Sequence, residues 1–165
     1  MKQINVFTDG ATLNNNKKLK ERKGGYGVFF QDNHEWNLSN IYTEQPVTNN
    51  KCELEAILQA IKIVLNNEKE KVILNIYSDS KYCIDCITKF CKIWEKNNWQ
   101  KKDGKNISNL NQIIEIYNYV KENPIFFFHI NSHQPEPKDK TSKEYYLWYG
   151  NNQADKLATS IILNT

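Results

Sequence analysis

The segment KVILNIYSDS, residues 71–80, limits the possible folds more than any other part of the chain. Its apolar residues occupy both the odd and the even positions, a pattern typical of a strand that is covered on both faces. The segment ends in Ser-Asp-Ser, which can stop a strand and cap a following helix. A sheet with helices packed on it is therefore expected around this strand.

Strand and helix patterns lie on both sides of this segment. Residues 4–8 alternate before Asp9 and Gly10, and the segments GGYGVFFQD and HEWNLSNIYT indicate two more strands joined by a turn at Asp32 and Asn33. In residues 51–65 the apolar positions recur every three or four residues, which predicts a helix capped by the preceding TNN. Further helices are expected over 81–97 and 108–121, then a buried strand in PIFFFHIN and a terminal helix in NNQADKLATSIIL. Strands first, then strands alternating with helices, predict an α/β fold with a mixed sheet.

The size and composition favour one soluble, intracellular domain. A chain of 165 residues can bury a core of its own but is short for two domains. No apolar run approaches the roughly 20 residues that a membrane crossing needs. Four cysteines without a signal peptide fit a reducing compartment, so we expect the cytoplasm, the nucleus or a viral setting.

Lysines are concentrated in two segments, although the net charge is only +3. One is NNNKKLKERKGG, and the other is KNNWQKKDGKN, which is interleaved with Trp94 and Trp99. Positive charge combined with flat aromatic rings suits a nucleic-acid backbone. A solvated surface with tryptophans anchoring a turn would give the same composition.

Four acidic residues stand at predicted element ends: Asp9, Glu53, Asp79 and Asp155. Each alone is explained as a turn former or as a complement to a helix dipole. If the strands before Asp9 and Asp79 are parallel neighbours, however, both side chains emerge at the same edge of the sheet. Adjacent carboxylates repel one another unless a cation lies between them, and Mg²⁺ prefers oxygen ligands. Two such ions can stabilise a phosphodiester displacement, so the set suggests a metal-dependent nuclease.

The ordered motifs of the chain resemble the type 1 ribonuclease H family. They are FTDG, GGYG, TNNKCELEAI, YSDSKY, the tryptophan pair, SHQPE and NNQADKLA, and they extend from about residue 4 to about residue 158. The resemblance implies a ribonuclease H-like fold with a five-stranded mixed sheet flanked by helices. Its first three strands would be antiparallel and its last two parallel to the first. We expect one such domain over residues 1–165, with no separate hybrid-binding domain.

The same resemblance implies hydrolysis of the RNA strand of an RNA/DNA hybrid, leaving a 5′-phosphate and a 3′-hydroxyl. Two Mg²⁺ ions, which Mn²⁺ can replace, would be held by the four carboxylates named above. In the helix motif the pattern NNKCEL selects Glu53 rather than Glu55. His133 of SHQPE resembles the mobile histidine that assists proton transfer or product release.

Nucleic-acid contacts are also implied by the family pattern. Asn49 and Asn50 resemble the residues that reach the minor groove, where amides can read the 2′-hydroxyl. Thr48 would belong to a phosphate pocket on the DNA strand, and Lys81 stands where some relatives carry a groove-reading glutamine. The family's basic protrusion, which grips the DNA strand, corresponds to Trp94, Lys96, Trp99, Lys101 and Lys102.

Other features are assigned from the residues. Cys83 and Cys86 lie about one helical turn apart and lack a second pair at zinc-site spacing, so packing inside the helix is expected. The segment PKDKTSKEYYLWYG lengthens the distance between His133 and Asp155 relative to most members of the family. Its lysines and prolines predict a disordered loop, whereas its aromatic residues predict that part of it docks on the domain or beside the substrate cleft, as a lid over the metal site.

Three functions remain open from the sequence. The leading one is an active, monomeric, hybrid-specific endoribonuclease. The alternatives are a catalytically silent nucleic-acid-binding module and a DNA-directed nuclease of the same fold. An initiating Met just before the first strand favours a stand-alone enzyme over a fragment of a polymerase polyprotein.

Overall fold

Five strands form one mixed sheet in the order β3-β2-β1-β4-β5. The computed structural model describes residues 1–13 and 22–164, and it places β1 at Gln3–Leu13, β2 at Lys23–Phe29, β3 at Leu38–Tyr42, β4 at Ile73–Ser78 and β5 at Ile125–His129. β1, β2 and β3 are antiparallel neighbours, whereas β4 is parallel to β1 and β5 is parallel to β4. The predicted sheet topology is confirmed.

The helices follow the predicted order. They are α1 (Asn49–Asn67), a run made of α2 (Lys81–Asp85), a π-helical turn (Cys86–Phe90) and α3 (Cys91–Lys96), then α4 (Leu110–Glu122) and α5 (Lys143–Leu163). None of the helices in the described ranges has the length and apolar character that a bilayer crossing requires.

The main core lies between the sheet and the α1 layer. Leu54, Ile57 and Ile61 of α1 pack with Val6 of β1 and Ile76 of β4, and all five are fully buried. Each such side chain contributes about 1.5–3 kcal/mol to stability. α1 begins where the Thr48 hydroxyl accepts a hydrogen bond from the Lys51 amide, as the TNN motif predicts. This packing fixes α1 against the middle of the sheet.

The helix predicted over residues 81–97 contains an unpredicted π-helical turn. The Cys91 amide donates to the Cys86 carbonyl, five residues earlier, so both cysteines face the core. All four cysteines are free and buried, which confirms that Cys83 and Cys86 serve packing.

Two strands differ from expectation. Asp9 does not end β1, because the strand continues to Leu13 by pairing with β2 beyond the end of β4. β5 is buried only at Ile125 and partly at Phe127, because it lies at the edge of the sheet. Phe126 and Phe128 are accordingly 51% and 44% exposed.

The largest difference concerns α5, which starts at Lys143 rather than near Asn151. Asp155 is therefore in the middle of a helix and not near its start. The aromatic segment is neither a disordered loop nor a separate lid: it forms the first two turns of α5. Its rings dock on the sheet, with Tyr146 against Phe7 and Tyr149 against Phe29, as the aromatic content predicts.

A stripe of small residues holds α5 on the sheet. Gly150, Ala154 and Ala158 recur every four residues and are buried. Most of the first lysine-rich segment, residues 14–21, lies outside the described residues.

Candidate active site

Asp9 and Asp79 meet at the carboxyl edge of the sheet. Thr8 of β1 pairs with Ser78 of β4 in the last step of their parallel ladder, so each aspartate lies one residue beyond it. This is the shared edge at which the sequence predicted both side chains.

Glu53 reaches this edge because β1 and α1 approach each other at a glycine. A β-carbon on Gly10 would lie 2.4 Å from the Glu53 nitrogen and 2.5 Å from the Cys52 carbonyl carbon, so only glycine allows this spacing. The Gly10 amide donates hydrogen bonds to the carboxylates of both Asp9 and Glu53. One backbone amide thus orients two acids from different elements.

One carboxylate oxygen from each of Asp9, Glu53 and Asp79 lies within 4.8 Å of the others. Asp9 is only 4% exposed and Glu53 only 7%. Burial raises the pKa of both carboxyl groups, and the charges of Asp79 and Asp155 raise them further. The second oxygen of Glu53 is buried without a hydrogen-bond donor. A hard divalent cation would supply the positive charge and the oxygen coordination that these groups lack, so the donor set fits Mg²⁺.

Asp155 approaches the group from the opposite face of the sheet. A β-carbon on Gly27 of β2 would lie 2.5 Å from the Ala154 carbonyl oxygen, so α5 rests directly on the sheet next to Asp155. Asp155 lines a cavity together with Asp79. It lies outside the tight three-acid group, but its charge contributes to the raised pKa of Asp79.

Two histidines border the same cavity. His133 is exposed and has a left-handed backbone, with φ of 55°. His129 ends β5, and its Nε2 lies 3.3 Å from the Asp79 carbonyl oxygen. The positive forms of both rings oppose the rise in the pKa of Asp79, which is caused first by burial. His129 was not predicted, although its place at the end of a strand parallel to β4 could have indicated it.

Glu55 lies elsewhere. Its carboxylate accepts hydrogen bonds from Gln59 and Gln112, at 2.7 and 3.1 Å. It does not belong to the three-acid group, which contains Glu53 from the same helix.

The predicted groove-reading residues lie at the starts of helices. Thr48 caps α1, and the exposed Asn49 accepts a hydrogen bond from the Thr12 hydroxyl at 2.7 Å. Asn50 is exposed in the first turn of α1, and Lys81 is exposed in the first position of α2. Asn50 and Lys81 therefore present their side chains to solvent at the surface near the acids.

The predicted basic protrusion is a loop anchored by tryptophans. Trp94 and Trp99 both pack against the core, and the Trp99 ring meets Tyr117 edge to face at 5.8 Å. The Trp99 amide donates to the Trp94 carbonyl at 2.7 Å, which closes the loop. A shallow depression of about 390 Å³ on its surface is lined by Lys96, Lys101 and Lys102 among others. The tryptophans thus anchor the loop, while the lysines remain available for phosphates.

The cavity between the His133 loop and α5 has a volume of about 460 Å³. Asp79, His133 and Asp155 line the cavity, and so do Leu147 and Trp148 of the first turns of α5. Leu147 and Trp148 were predicted only as part of an undefined docking segment, because a helix starting at Lys143 was not expected.

Comparison with known proteins gives consistent matches over almost the whole chain. The family model described as RNase H matches residues 1–162. Ribonuclease HI of Haemophilus influenzae is 35% identical over 133 residues, which are 80% of this chain and 79% of that protein. Ribonuclease H of Orientia tsutsugamushi is 30% identical over 160 residues, covering 95% and 80%.

Solved structures agree in fold. LC9-RNase H1, described as a type 1 RNase H with the type 2 active-site motif, superposes with a TM-score of 0.72 at 20% identity, covering 99% of this chain and 73% of that one. LC11-RNase H1, solved in complex with an RNA/DNA hybrid, gives a TM-score of 0.62 at 19% identity, covering 98% and 97%.

Proposed function

This chain belongs to the ribonuclease H family, and from that premise we propose that it hydrolyses the RNA strand of RNA/DNA hybrids at the acidic cluster. The observation that carries the proposal is the convergence of Asp9, Glu53 and Asp79 within 4.8 Å, from three separate elements. A surface that only bound a polyanion would gain nothing from buried, uncompensated acids.

Asp9, Glu53, Asp79 and Asp155 would hold two Mg²⁺ ions, which Mn²⁺ can replace. When bound, the ions would neutralise the acids and stabilise the charge that develops on a phosphodiester during hydrolysis. The Gly10 amide keeps the carboxylates of Asp9 and Glu53 side by side for this purpose.

The products follow from which bond breaks. A water molecule adds to the phosphorus, the bond from phosphorus to the 3′-oxygen breaks, and that oxygen takes a proton. A 5′-phosphate and a 3′-hydroxyl result. His133 lies on an exposed loop beside Asp79 and Asp155, where it can exchange a proton between the site and solvent.

Recognition of the hybrid would come from two surfaces. Asn49 and Asn50 would contact the minor groove, where amides can recognise the 2′-hydroxyl, with Thr48 and Lys81 on neighbouring phosphates. Trp94 and Trp99 hold the loop whose Lys96, Lys101 and Lys102 would contact the DNA strand. Phosphate contacts of this kind position a duplex without reading its sequence.

We further propose that the enzyme works as a single domain and as a monomer. The bacterial sources of the curated relatives favour a cytoplasmic setting over a nuclear or viral one. Analytical ultracentrifugation at micromolar concentration tests the oligomeric state, and a stable dimer would contradict it.

A side-by-side cleavage assay tests the activity. Labelled RNA/DNA hybrid, single-stranded RNA, duplex DNA and a DNA junction are incubated with the protein in millimolar Mg²⁺ and in EDTA. We expect cleavage of the RNA strand of the hybrid alone, and only with Mg²⁺. Hybrid binding without cleavage would favour a silent binding module, and cleavage of the junction would favour a DNA-directed nuclease.

A further inference from the structure

We propose that the 460 Å³ cavity between the His133 loop and α5 binds one unpaired ribonucleotide of the RNA strand, next to the phosphodiester that is cut. The inference rests on the proposed function and deepens it. It adds to the substrate an unpaired ribonucleotide, which a fully paired hybrid does not contain. We refer to this cavity as the nucleotide pocket.

The nucleotide pocket has the size and the divided chemistry that a nucleotide needs. Its volume is within the range of roughly 300–1,000 Å³ that is usual for small-ligand sites. Leu147, Asn151 and Asp155 are four residues apart on one face of α5, and all three line the cavity. Asp155, with Asp79 and His133, marks the end where a phosphate would meet the bound ions. Leu147 and Trp148 lie about 12 Å away along the helix and form an aromatic wall, where a flat base would find apolar surface.

The aromatic wall is held in place. The Trp148 indole Nε1 donates to the Gln134 carbonyl oxygen at 3.0 Å, which fixes the ring to the His133 loop. Ser142 caps α5 by accepting from the Tyr145 amide at 3.1 Å, and the Ser142 hydroxyl donates to the Asp139 carbonyl. A preorganised ring loses little entropy on binding, so it suits base stacking.

The rim supplies the polar groups that a nucleotide requires. Asn151 and Asn152 line the pocket, and their amides can both donate to and accept from a base edge or a ribose hydroxyl. Lys138, Lys140 and Lys143 are exposed in the adjoining segment and can attract the phosphate chain.

Only an unpaired nucleotide can use this wall. In a duplex the bases are paired and stacked inside, so the base must leave the stack, which costs least where it is already single-stranded. The nucleotide pocket should therefore favour hybrids whose RNA strand extends beyond the paired region.

The test combines binding and kinetics. Adenosine 5′-monophosphate is titrated in Mg²⁺ while tryptophan emission is recorded, with deoxyadenosine 5′-monophosphate in parallel. Steady-state cleavage is then measured on a blunt hybrid and on the same hybrid with two unpaired ribonucleotides at either end of the RNA strand. The variants are Trp148→Leu, which removes the ring, Trp148→Phe, which keeps a ring, and Trp36→Leu as a control far from the site. Thermal melts establish that each variant is folded.

We expect adenosine monophosphate to change the emission of the wild-type protein and of Trp36→Leu but not of Trp148→Leu. We expect a KM roughly tenfold lower for one of the tailed hybrids than for the blunt one, because stacking on one aromatic ring supports that factor. This preference should vanish in Trp148→Leu and persist largely in Trp148→Phe. Both variants lose the hydrogen bond to Gln134, so any change in the kinetics on the blunt hybrid should be the same in the two, and Trp36→Leu should keep the wild-type values.

Equal KM values for tailed and blunt hybrids in the wild-type protein would overturn the inference. So would an equal rise of both KM values in Trp148→Leu, or no emission change with either nucleotide. An equal response to the deoxyribonucleotide would refute ribose recognition. If the wild-type protein cleaves no hybrid at all, the proposed function fails, and the nucleotide titration alone decides whether the pocket binds.

Discussion

Gly10 of β1 and Glu53 of α1 are in backbone contact: a β-carbon on Gly10 would lie 2.4 Å from the Glu53 nitrogen. This contact sets the distance between the carboxylates of Asp9 and Glu53. The glycine of the FTDG motif therefore acts as a spacer for the site from within β1.

Gly10→Ala should lower both stability and activity. The added methyl group meets main-chain atoms, so α1 must shift, which typically costs about 1–3 kcal/mol. The same shift separates Asp9 from Glu53, and hybrid cleavage should fall by at least about tenfold. Urea denaturation and steady-state kinetics measure the two effects.

Gly104→Ala is the matched control for that substitution. Gly104 has a positive φ of 79° and no heavy atom within 4 Å of an added β-carbon. It should therefore lose about 1 kcal/mol from backbone strain alone and keep full turnover. If both variants lost activity equally, the spacer role of Gly10 would be refuted.

Asp79→Asn should abolish turnover without unfolding the protein. The change keeps the size of the side chain but removes one charge from the cluster. Replacing a residue that only supports a metal ligand typically lowers activity about 10- to 100-fold, and replacing Asp79 itself should lower turnover by more than that. Circular dichroism and the melting temperature provide the folding check, and Asp103→Asn, in the exposed loop after Lys102, is the control. Turnover retained by Asp79→Asn would refute the site.

Without divalent ions, stability should fall as the pH rises above about 4. Burial and mutual repulsion raise the folded-state pKa values of Asp9 and Glu53 above their ordinary values of 3.8 and 4.5. The folded protein then holds protons that the unfolded chain has released, so the free energy of unfolding decreases with pH. Urea denaturation in EDTA at pH 4.5, 5.5 and 6.5 measures the slope.

The Asp9→Asn variant distinguishes the contribution of the acidic cluster to this pH dependence from that of the other titrating groups. Its free energy of unfolding should decline less steeply than that of the wild-type protein, with a difference on the order of 1 kcal/mol or more by pH 6.5. Millimolar Mg²⁺ should reduce the difference, since it stabilises the charged acids. Parallel curves for the two proteins would contradict the electrostatic account.

Salt dependence should reveal the role of the lysines on the protrusion. The logarithm of affinity falls linearly with the logarithm of salt concentration, with a slope of about −0.9 for each phosphate that the protein neutralises. If Lys96, Lys101 and Lys102 each neutralise one phosphate, removing one lysine should make the slope shallower by about 0.9. Replacing all three with Gln should make the slope shallower by nearly three, measured by fluorescence anisotropy with a labelled hybrid. The double replacement of Lys69 and Lys71, exposed in the turn between α1 and β4, should leave the slope unchanged.

The strands and α1 could be predicted because they depend on local patterns such as hydrophobic periodicity. The parallel pairing of β1 and β4, which brings Asp9 and Asp79 to one edge, is a long-range contact that the residues gave only as a condition and that the family resemblance implied. The position of Glu53 next to Asp9 required a tertiary contact, since it depends on the absence of a side chain at Gly10.

The start of α5 could not be predicted from local preference. The prolines and lysines after His133 indicate a loop, and the mixed aromatic segment has no clear apolar face. The helix is instead selected by packing, because Gly150, Ala154 and Ala158 fit closely against Phe7 and the glycines of β2. That four-residue spacing of small side chains was the available signal for a longer helix.

The exposure of β5 and the π-helical turn were missed for related reasons. Three consecutive phenylalanines indicate a strand but not its place in the sheet, and strand order left Phe126 and Phe128 at an edge. The π-helical turn serves the burial of Cys86 and Cys91 together, a requirement of the core that no local motif expresses.

The continuity of α5 limits how the length of this region can vary. Tyr146 and Gly150 hold one end of the helix on Phe7, while Asp155 serves the site farther along the same helix. Each residue turns an α-helix by about 100°, so inserting or deleting one residue between Gly150 and Asp155 would rotate the acid away from the site. Between His133 and Asp155, residues can therefore be added or removed without rotating Asp155 only in the loop that precedes the Ser142 cap.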